Sequence, residues 1–306
     1  MALITLLMNY VALLQDGKLD AVSIATPNNF HYSIVLTALA AGIHVFCEKP
    51  LALTQEQAEQ MTMAAQRAGV IHGINFQYRA LPCFAFARQF ILAGHLGTIY
   101  HVQADYLQDW EVRSRSWLSE NARKWRTTRS ISGTGVLGDL GTHLLDLLQN
   151  IVEPVTRVNA QWRTIEGLDI LTTNETRTDD YTALLIEFAG GALGQLTVSH
   201  ASFGYENAIH IQIQGSLGAL RLSSQQPQKV QLCTRDSLFT WTTTPTNTRC
   251  VSPIESFIQG LLTGVQATPN FEDGLSVQCI LASAEQSIGS GGCIAVHSGE
   301  RFPMSS

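Results

Sequence analysis

The chain has 306 residues, 45% of them hydrophobic and only 14% charged, with a net charge of −6 and a pI near 5.8. That length suits one large domain or two ordinary ones with an ample core, and the acidic balance without a Lys/Arg cluster argues against a nucleic-acid surface. Charge well below the usual ~25% leaves little polar cover, which points to a buried interface in a homo-oligomer, a dimer or tetramer.

The N-terminal stretch MALITLLMNYVALL is too short to span a bilayer and has no basic residue in front, so it reads as a helix of the fold with an unusual start. LDAVSIA follows as a strand with the apolar texture of one buried on both faces. Thr26 is expected to cap the next helix, with Pro27 at its first position, and Gly42 closes it. IHVFCEK is the second strand, Thr54 caps a helix ended by Gly69, and VIHGINF is the third strand. Strands alternating with helices through short loops predict a parallel sheet with helical crossovers. Ligands of such sheets bind beyond the carboxyl ends of the strands, where TPNN and EKP lie.

From about Asn75 the texture changes. A helix around Pro82 to Ala93 leads into a strand-like IYHVQADYLQDW, a polar segment, a Gly-rich loop GTGVLGDLG and the helix THLLDLLQNIV. Beyond Pro154 the runs VNAQWRTI, YTALLIEFAGGALGQLTVSHASF, NAIHIQIQGSLGALRLSS and KVQLCT read as hairpins of a largely antiparallel sheet. Helices near Pro253 to Thr263 and Phe271 to Ile288 close this second part. The six cysteines are scattered without CxxC or metal-ligand spacing, which suits reduced thiols in the cytoplasm and gives no metal site.

Three groups of residues carry chemical potential. Lys49 is followed by Pro50, which fixes the corner and aims a lysine able to polarise a carbonyl or alcohol oxygen. Asp139, His143 and Asp146 stand at i, i+4 and i+7, so a helix would line them on one face. A histidine flanked by two carboxylates would be kept basic, as a proton acceptor needs to be. A helix-capping Asp139 and a half-buried, hydrogen-bonded His143 is the bland alternative, against which the glycines at 133, 135, 138 and 141 suggest close approach to a ligand. Asn28 and His31 sit in the first turn after the first strand, where turn chemistry alone could also explain Asn28.

In this order and at these distances, LDAVSIATPNNFHYSIVLTALAAGIHVFCEKPLALT, NFQYR, KWR, GDLGTHLLDL and PNFEDGLSVQCILASAEQS resemble the Gfo/Idh/MocA family of nicotinamide-dependent oxidoreductases. The resemblance implies a dehydrogenase using NAD or NADP on a hydroxyl carbon of a sugar, polyol or related small molecule. It implies catalytic roles for Lys49, which would polarise the oxygen, His143, which would take the hydroxyl proton, and Asp139, which would orient His143. Thr26, Pro27, Asn28, His31, Glu48, Lys49 and Pro50 would face the nicotinamide end of the cofactor. Lys49, Tyr78, Arg79, Trp125, Arg126, Asp139 and His143 would face the substrate.

The front of the chain departs from the family pattern. No G-x-G-x-x-G turn precedes the TPN segment, and about two strand–helix units, roughly 60 residues at ~30 each, are expected to be missing. The expected fold is α/β: an N-terminally truncated Rossmann-like sheet over 1–75 as the nicotinamide-side half. An α+β substrate and oligomerisation domain with a largely antiparallel open sheet follows over 76–306. LDAVSIA would then be an edge strand, and the hold on the dinucleotide would be weakened. A non-catalytic sugar- or cofactor-sensing relative, or a fragment unable to bind dinucleotide, is the alternative function.

Overall fold

The computed structural model describes residues 10–112, 126–133, 135–165, 177–237 and 239–297. Three short strands, Ala21–Ile24 (β1), His44–Cys47 (β2) and His72–Ile74 (β3), pair in parallel in the order β1-β2-β3. Helix α1 (Tyr10–Gln15) precedes them, and α2 (His31–Ala40) and α3 (Gln55–Ala68) make the crossovers. Thr54 caps α3 by accepting from Gln57 N, and Gly69 ends it with φ 63°, both as the residue types dictate.

Two details differ from expectation. The first strand lies at an edge of the described sheet, as expected, but its apolar run is not buried on both faces: only Ile24 of its four residues is buried. Thr26 is not a helix cap either. Pro27 instead leads a 3₁₀ turn, Asn28–Phe30, and α2 starts at His31.

Helix α4 (Pro82–Leu92) leads into a nine-stranded sheet of Ile99–Leu107 (β4), Val155–Arg163 (β5), Tyr181–Phe188 (β6), Leu193–Ser199 (β7), Ala208–Gly215 (β8), Gly218–Ser223 (β9), Lys229–Thr234 (β10), Thr242–Pro245 (β11) and Ile294–Ala295 (β12). Its order is β11-β10-β9-β8-β4-β7-β6-β5-β12. Every pairing is antiparallel except β4 with β7, which run side by side from His101↔Leu193 to Leu107↔Ser199. Parallel neighbours end together, so the residues following β4 and β7 emerge at one place.

Helices α5 (Thr142–Ile151), α6 (Pro253–Thr263) and α7 (Phe271–Ser290) pack between and beside the sheets. One apolar core runs through both, from Val35, Val45 and Met61 to Leu144, Val198 and Ile213, all fully buried. A smaller cluster of Phe46, Ile71, Phe257 and Ala267 seats α6 on the other side of β2 and β3. At one end α7 is tied to β3, where Phe271 N donates to His72 Nδ1 at 3.2 Å. At its other end Ser287 Oγ accepts from Ala160 N of β5 at 3.0 Å.

Candidate active site

The loops after β1 and β2 form one wall of a cleft of about 310 Å³, with Ala25, Thr26, Pro27, Asn28, Glu48 and Lys49 in its lining. The opposite wall carries Arg126, Ser132, Gly135, Asp139 and His200. That volume is at the lower end of the range for small-molecule sites.

Lys49 is aimed by its corner, whose Lys49–Pro50 peptide is cis. Its Nζ donates to Asp139 Oδ1 at 2.5 Å and to the Asp139 carbonyl at 3.0 Å. Glu48, beside it, accepts from Asn75 Nδ2 at 2.6 Å, which answers for its charge at the end of an apolar strand. Asn28 Nδ2 donates to the Ser132 carbonyl at 3.0 Å and so links the two walls.

Asp139 belongs to a π-helical turn, Leu137–Gly141, that runs into α5. The turn is held from below: the Asp179 carboxylate accepts from Gly135 N at 2.7 Å, Leu137 N at 2.9 Å and Thr182 Oγ1 at 2.8 Å. Burial raises the Asp139 carboxyl, but Lys49 and His200 outweigh it and hold the group well below the usual carboxylate range. His200 Nε2 lies 3.3 Å from Asp139 Oδ2. Spacing had not marked His200; its position directly after a strand, at a carboxyl end, is the signal that could have.

His143 stands next to this pair, 4% exposed, with its ring edge-on to Tyr78 at 4.8 Å and near Phe76 and Tyr106. Burial, then the Lys49 charge, hold it well below the usual imidazole value, against a smaller pull from Asp139. It is therefore a neutral imidazole at pH 7, not one kept basic by two flanking carboxylates. The π-turn and the competing partners explain the difference: Asp139 is engaged by Lys49, and Asp146 by Arg79.

Arg79 does not line the cleft. It donates Nε to Asp146 Oδ2 at 2.9 Å and a terminal nitrogen to Asp146 Oδ1 and to Asp273 Oδ1, the latter at 2.9 Å. Burial lowers Arg79 but the two carboxylates more than reverse this, so it is a locked cation between α5 and α7. His31 is likewise buried, outside the lining, with Nδ1 2.9 Å from the Pro50 carbonyl and Nε2 3.0 Å from that of Thr26. It ties the two loops together from behind. Pro50 is buried at the same corner. Tyr78 meets His143 by its ring and shares its hydroxyl with Tyr106 at 2.6 Å and Asn207 at 3.0 Å. Trp125 lies outside the described residues.

The glycines near Asp139 serve the chain itself. A Cβ on Gly135 would stand 2.1 Å from the Asp179 carbonyl oxygen, and Gly133 takes φ 85° against Leu53. Among the described residues no group of three or more His, Cys, Asp or Glu side chains could hold a metal ion. None of their helices is long and apolar enough to cross a membrane.

Comparison with known proteins places this geometry. Residues 3–76 match the family model "Oxidoreductase family, NAD-binding Rossmann fold", and residues 84–221 match that of the "GFO/IDH/MocA C-terminal domain". Levoglucosan dehydrogenase of Pseudarthrobacter phenanthrenivorans is 33% identical over 237 residues, which are 72% of this chain and 60% of that protein. D-glucoside 3-dehydrogenase of Escherichia coli is 36% identical over 151 residues, 49% of this chain and 41% of that protein. The chain thus spans about 60% or less of these two relatives. Among solved structures, levoglucosan dehydrogenase in complex with NADH and levoglucosan superposes with a TM-score of 0.85 at 27% identity, over 95% of this chain and 83% of that one. An oxidoreductase domain protein from Kribbella flavida gives 0.84 at 31%, over 94% and 83%.

Proposed function

Because the chain belongs to the Gfo/Idh/MocA oxidoreductase family, we propose that it is a dehydrogenase moving a hydride between NAD or NADP and a hydroxyl-bearing carbon of a sugar, polyol or related molecule. The observation that carries this reading is the Lys49–Asp139 pair, set 2.5 Å apart in the cleft beyond the carboxyl ends of β1 and β2. That is where a parallel sheet of this kind meets its ligand.

The residues present fit the nicotinamide end of such a cofactor. Thr26, Pro27, Asn28 and Glu48 give that end one wall of the cleft, with Lys49 beside them. When bound, the nicotinamide supplies the hydride acceptor for oxidation or donor for reduction. Lys49, whose carboxylate partner holds its direction, points a hydrogen bond at the reacting oxygen and stabilises charge growing there. His143 is buried outside the cleft lining, near enough to Lys49 and Asp139 to feel both charges, and on the family pattern it would accept the hydroxyl proton as a neutral imidazole. On this reading Arg126, in the cleft wall, and Tyr78, beside His143, would touch the substrate.

Relatives named for levoglucosan, D-glucosides and D-apiose support a sugar-like substrate. Six free cysteines suit a reducing compartment, the cytoplasm. The open face of the nine-stranded sheet, with Tyr181, Leu185 and Leu193 exposed, suits association of like chains.

Titration with NADH and NADPH, followed by energy transfer from protein tryptophan to the reduced nicotinamide, tests the cofactor. A screen of anhydrosugars, glycosides and polyols with NAD⁺ and NADP⁺ then tests turnover. Saturable binding and turnover that falls about 10²-fold or more in K49A or H143A are expected. Binding without turnover of any sugar would favour a sensing relative, and no binding up to millimolar would overturn the assignment.

A further inference from the structure

A second cavity, of about 270 Å³, lies behind the cleft wall and shares only Ser132 with the cleft lining. One side of it is a face of α7, which presents Gln278, Leu281, Ala282 and Glu285 at i, i+3, i+4 and i+7. The other side is Ala52, Leu53 and the start of α3. Gln278 is 6% exposed, and its side-chain amide, not sealed off, has no hydrogen-bond partner among the described residues. Two N–H donors and one carbonyl acceptor are therefore unused at a cavity wall. Buried polar groups are normally paired, so an amide left open here is one that an entering molecule answers.

Glu285 supplies a second group. Its Oε1 accepts from Arg129 Nη2 at 3.0 Å, and Oε2 has no hydrogen bond among the described residues. Arg129 also lies over the Trp162 ring at 5.1 Å, which keeps that cation out of the lining. No Lys, Arg or His lines the cavity, so an anion would enter uncompensated. A cation has little to gain either. The Glu285 charge is already met by Arg129, and the exposed Glu56 is turned back on its own N–H and on Thr54. Leu53 and Leu281 add aliphatic surface beside these groups. What suits them is an uncharged molecule with hydroxyls on its edge and C–H groups on its face. The volume, just under the usual range of roughly 300–1,000 Å³, admits one ring.

We propose that this cavity is a second binding site, apart from the reaction cleft, for one uncharged monosaccharide or cyclic polyol. The Gln278 amide donates to one hydroxyl and accepts from its neighbour, and Glu285 Oε2 accepts from a third. Lys49, Asp139 and His143 do not line the cavity, so its occupant is held there and not converted. The proposal stands apart from the dehydrogenase reading, since neither cofactor nor turnover enters it.

The test uses the whole chain without cofactor, with D-glucose and myo-inositol as probes and D-glucuronate as the charged control. Binding is read at the Leu281 methyl groups by ¹H–¹³C NMR. At least one neutral probe should shift those resonances and saturate in the millimolar range, and glucuronate should bind about tenfold more weakly or less. Q278L should weaken binding about tenfold, A282F, which fills the cavity, should abolish it, and K49A, in the cleft, should leave it unchanged. The wild-type shifts need no variant, so a substitution that fails to fold does not remove the test. Silence at Leu281 with both neutral probes up to about 0.1 M would leave the cavity to water and overturn the proposal. Binding that K49A removes and Q278L spares would place the probe in the cleft and overturn it too, as would glucuronate binding as tightly as glucose. A chain inactive with every sugar and both cofactors would count against the dehydrogenase reading alone.

Discussion

Lys49 and Asp139 lie 90 residues apart in sequence and meet at 2.5 Å, one from the parallel sheet and one from the turn before α5. The pair joins the two walls of the cleft, so its chemistry is also part of the stability of the fold.

Replacing Lys49 by Met should therefore destabilise the protein in a pH-dependent way. The folded Asp139 carboxyl is held below its unfolded value, so its contribution is present above about pH 4 and is lost as pH falls through the folded value. The stability gap between wild type and K49M, read from urea unfolding, should be open at pH 7 and close toward pH 2. A gap that stays constant across that range would show that Asp139 is not held by Lys49.

Three buried histidines should add an earlier acid limb. Burial lowers His31, His72 and His143 in the folded state, so each binds its proton more readily once unfolded. Their contribution is complete above about pH 6.5 and declines as pH falls toward their folded values. Urea midpoints should drop between pH 7 and pH 5, and H143Q should drop less over that interval than wild type. Parallel curves for the two proteins would count against a neutral, buried His143.

Arg79→Met should act on the fold. Asp146, 1% exposed, would lose its bidentate partner, and Asp273 would lose the same cation. Removing one side of a buried ion pair costs about 3–5 kcal/mol. Denaturant unfolding should show a loss of that size, and a loss under about 1 kcal/mol would mean that the triad is no better than a surface pair.

Two glycines should respond oppositely to alanine. A Cβ at Gly135 meets the Asp179 carbonyl at 2.1 Å and Thr178 Oγ1 at 2.6 Å, so G135A has to move backbone that carries Asp139. A loss of about 1–3 kcal/mol is expected. Gly289 lies within α7 with open space around it, so G289A should gain about 0.5–1 kcal/mol. Thermal melting of both variants decides the matter: equal shifts would show that the turn beneath Asp139 yields more easily than its contacts suggest.

Much of this was readable before any coordinates. The alternation of LDAVSIA, HVFCEK and VIHGINF with capped helices gives the parallel sheet, because Thr54, Gly69 and the apolar periods act locally. Helix Pro253–Thr263 was expected at those bounds, with Pro at its start and a glycine beyond its end. What the sequence hid is the partnering. The i, i+4, i+7 spacing of Asp139, His143 and Asp146 assumes an α-helix, but a π-turn at Leu137–Gly141 changes the first interval. Partners from distant segments, Lys49, Arg79 and His200, then decide which carboxylate does what. No local pattern announces a contact between residue 139 and residue 200.

Helix α7 carries a consequence for how the chain is made. It touches β3 through Phe271 and β5 through Ser287, and it is synthesised after both. While α7 is still inside the ribosome, β3 and β5 lack these contacts. That helix begins more than a hundred residues after β5 begins (Val155 to Phe271), so its contacts with β3 and β5 can form only late in synthesis. Until then β1, at the edge of the described sheet, and the face of β2 and β3 lack that cover, so a chaperone that shields nascent strands should raise the yield of folded protein.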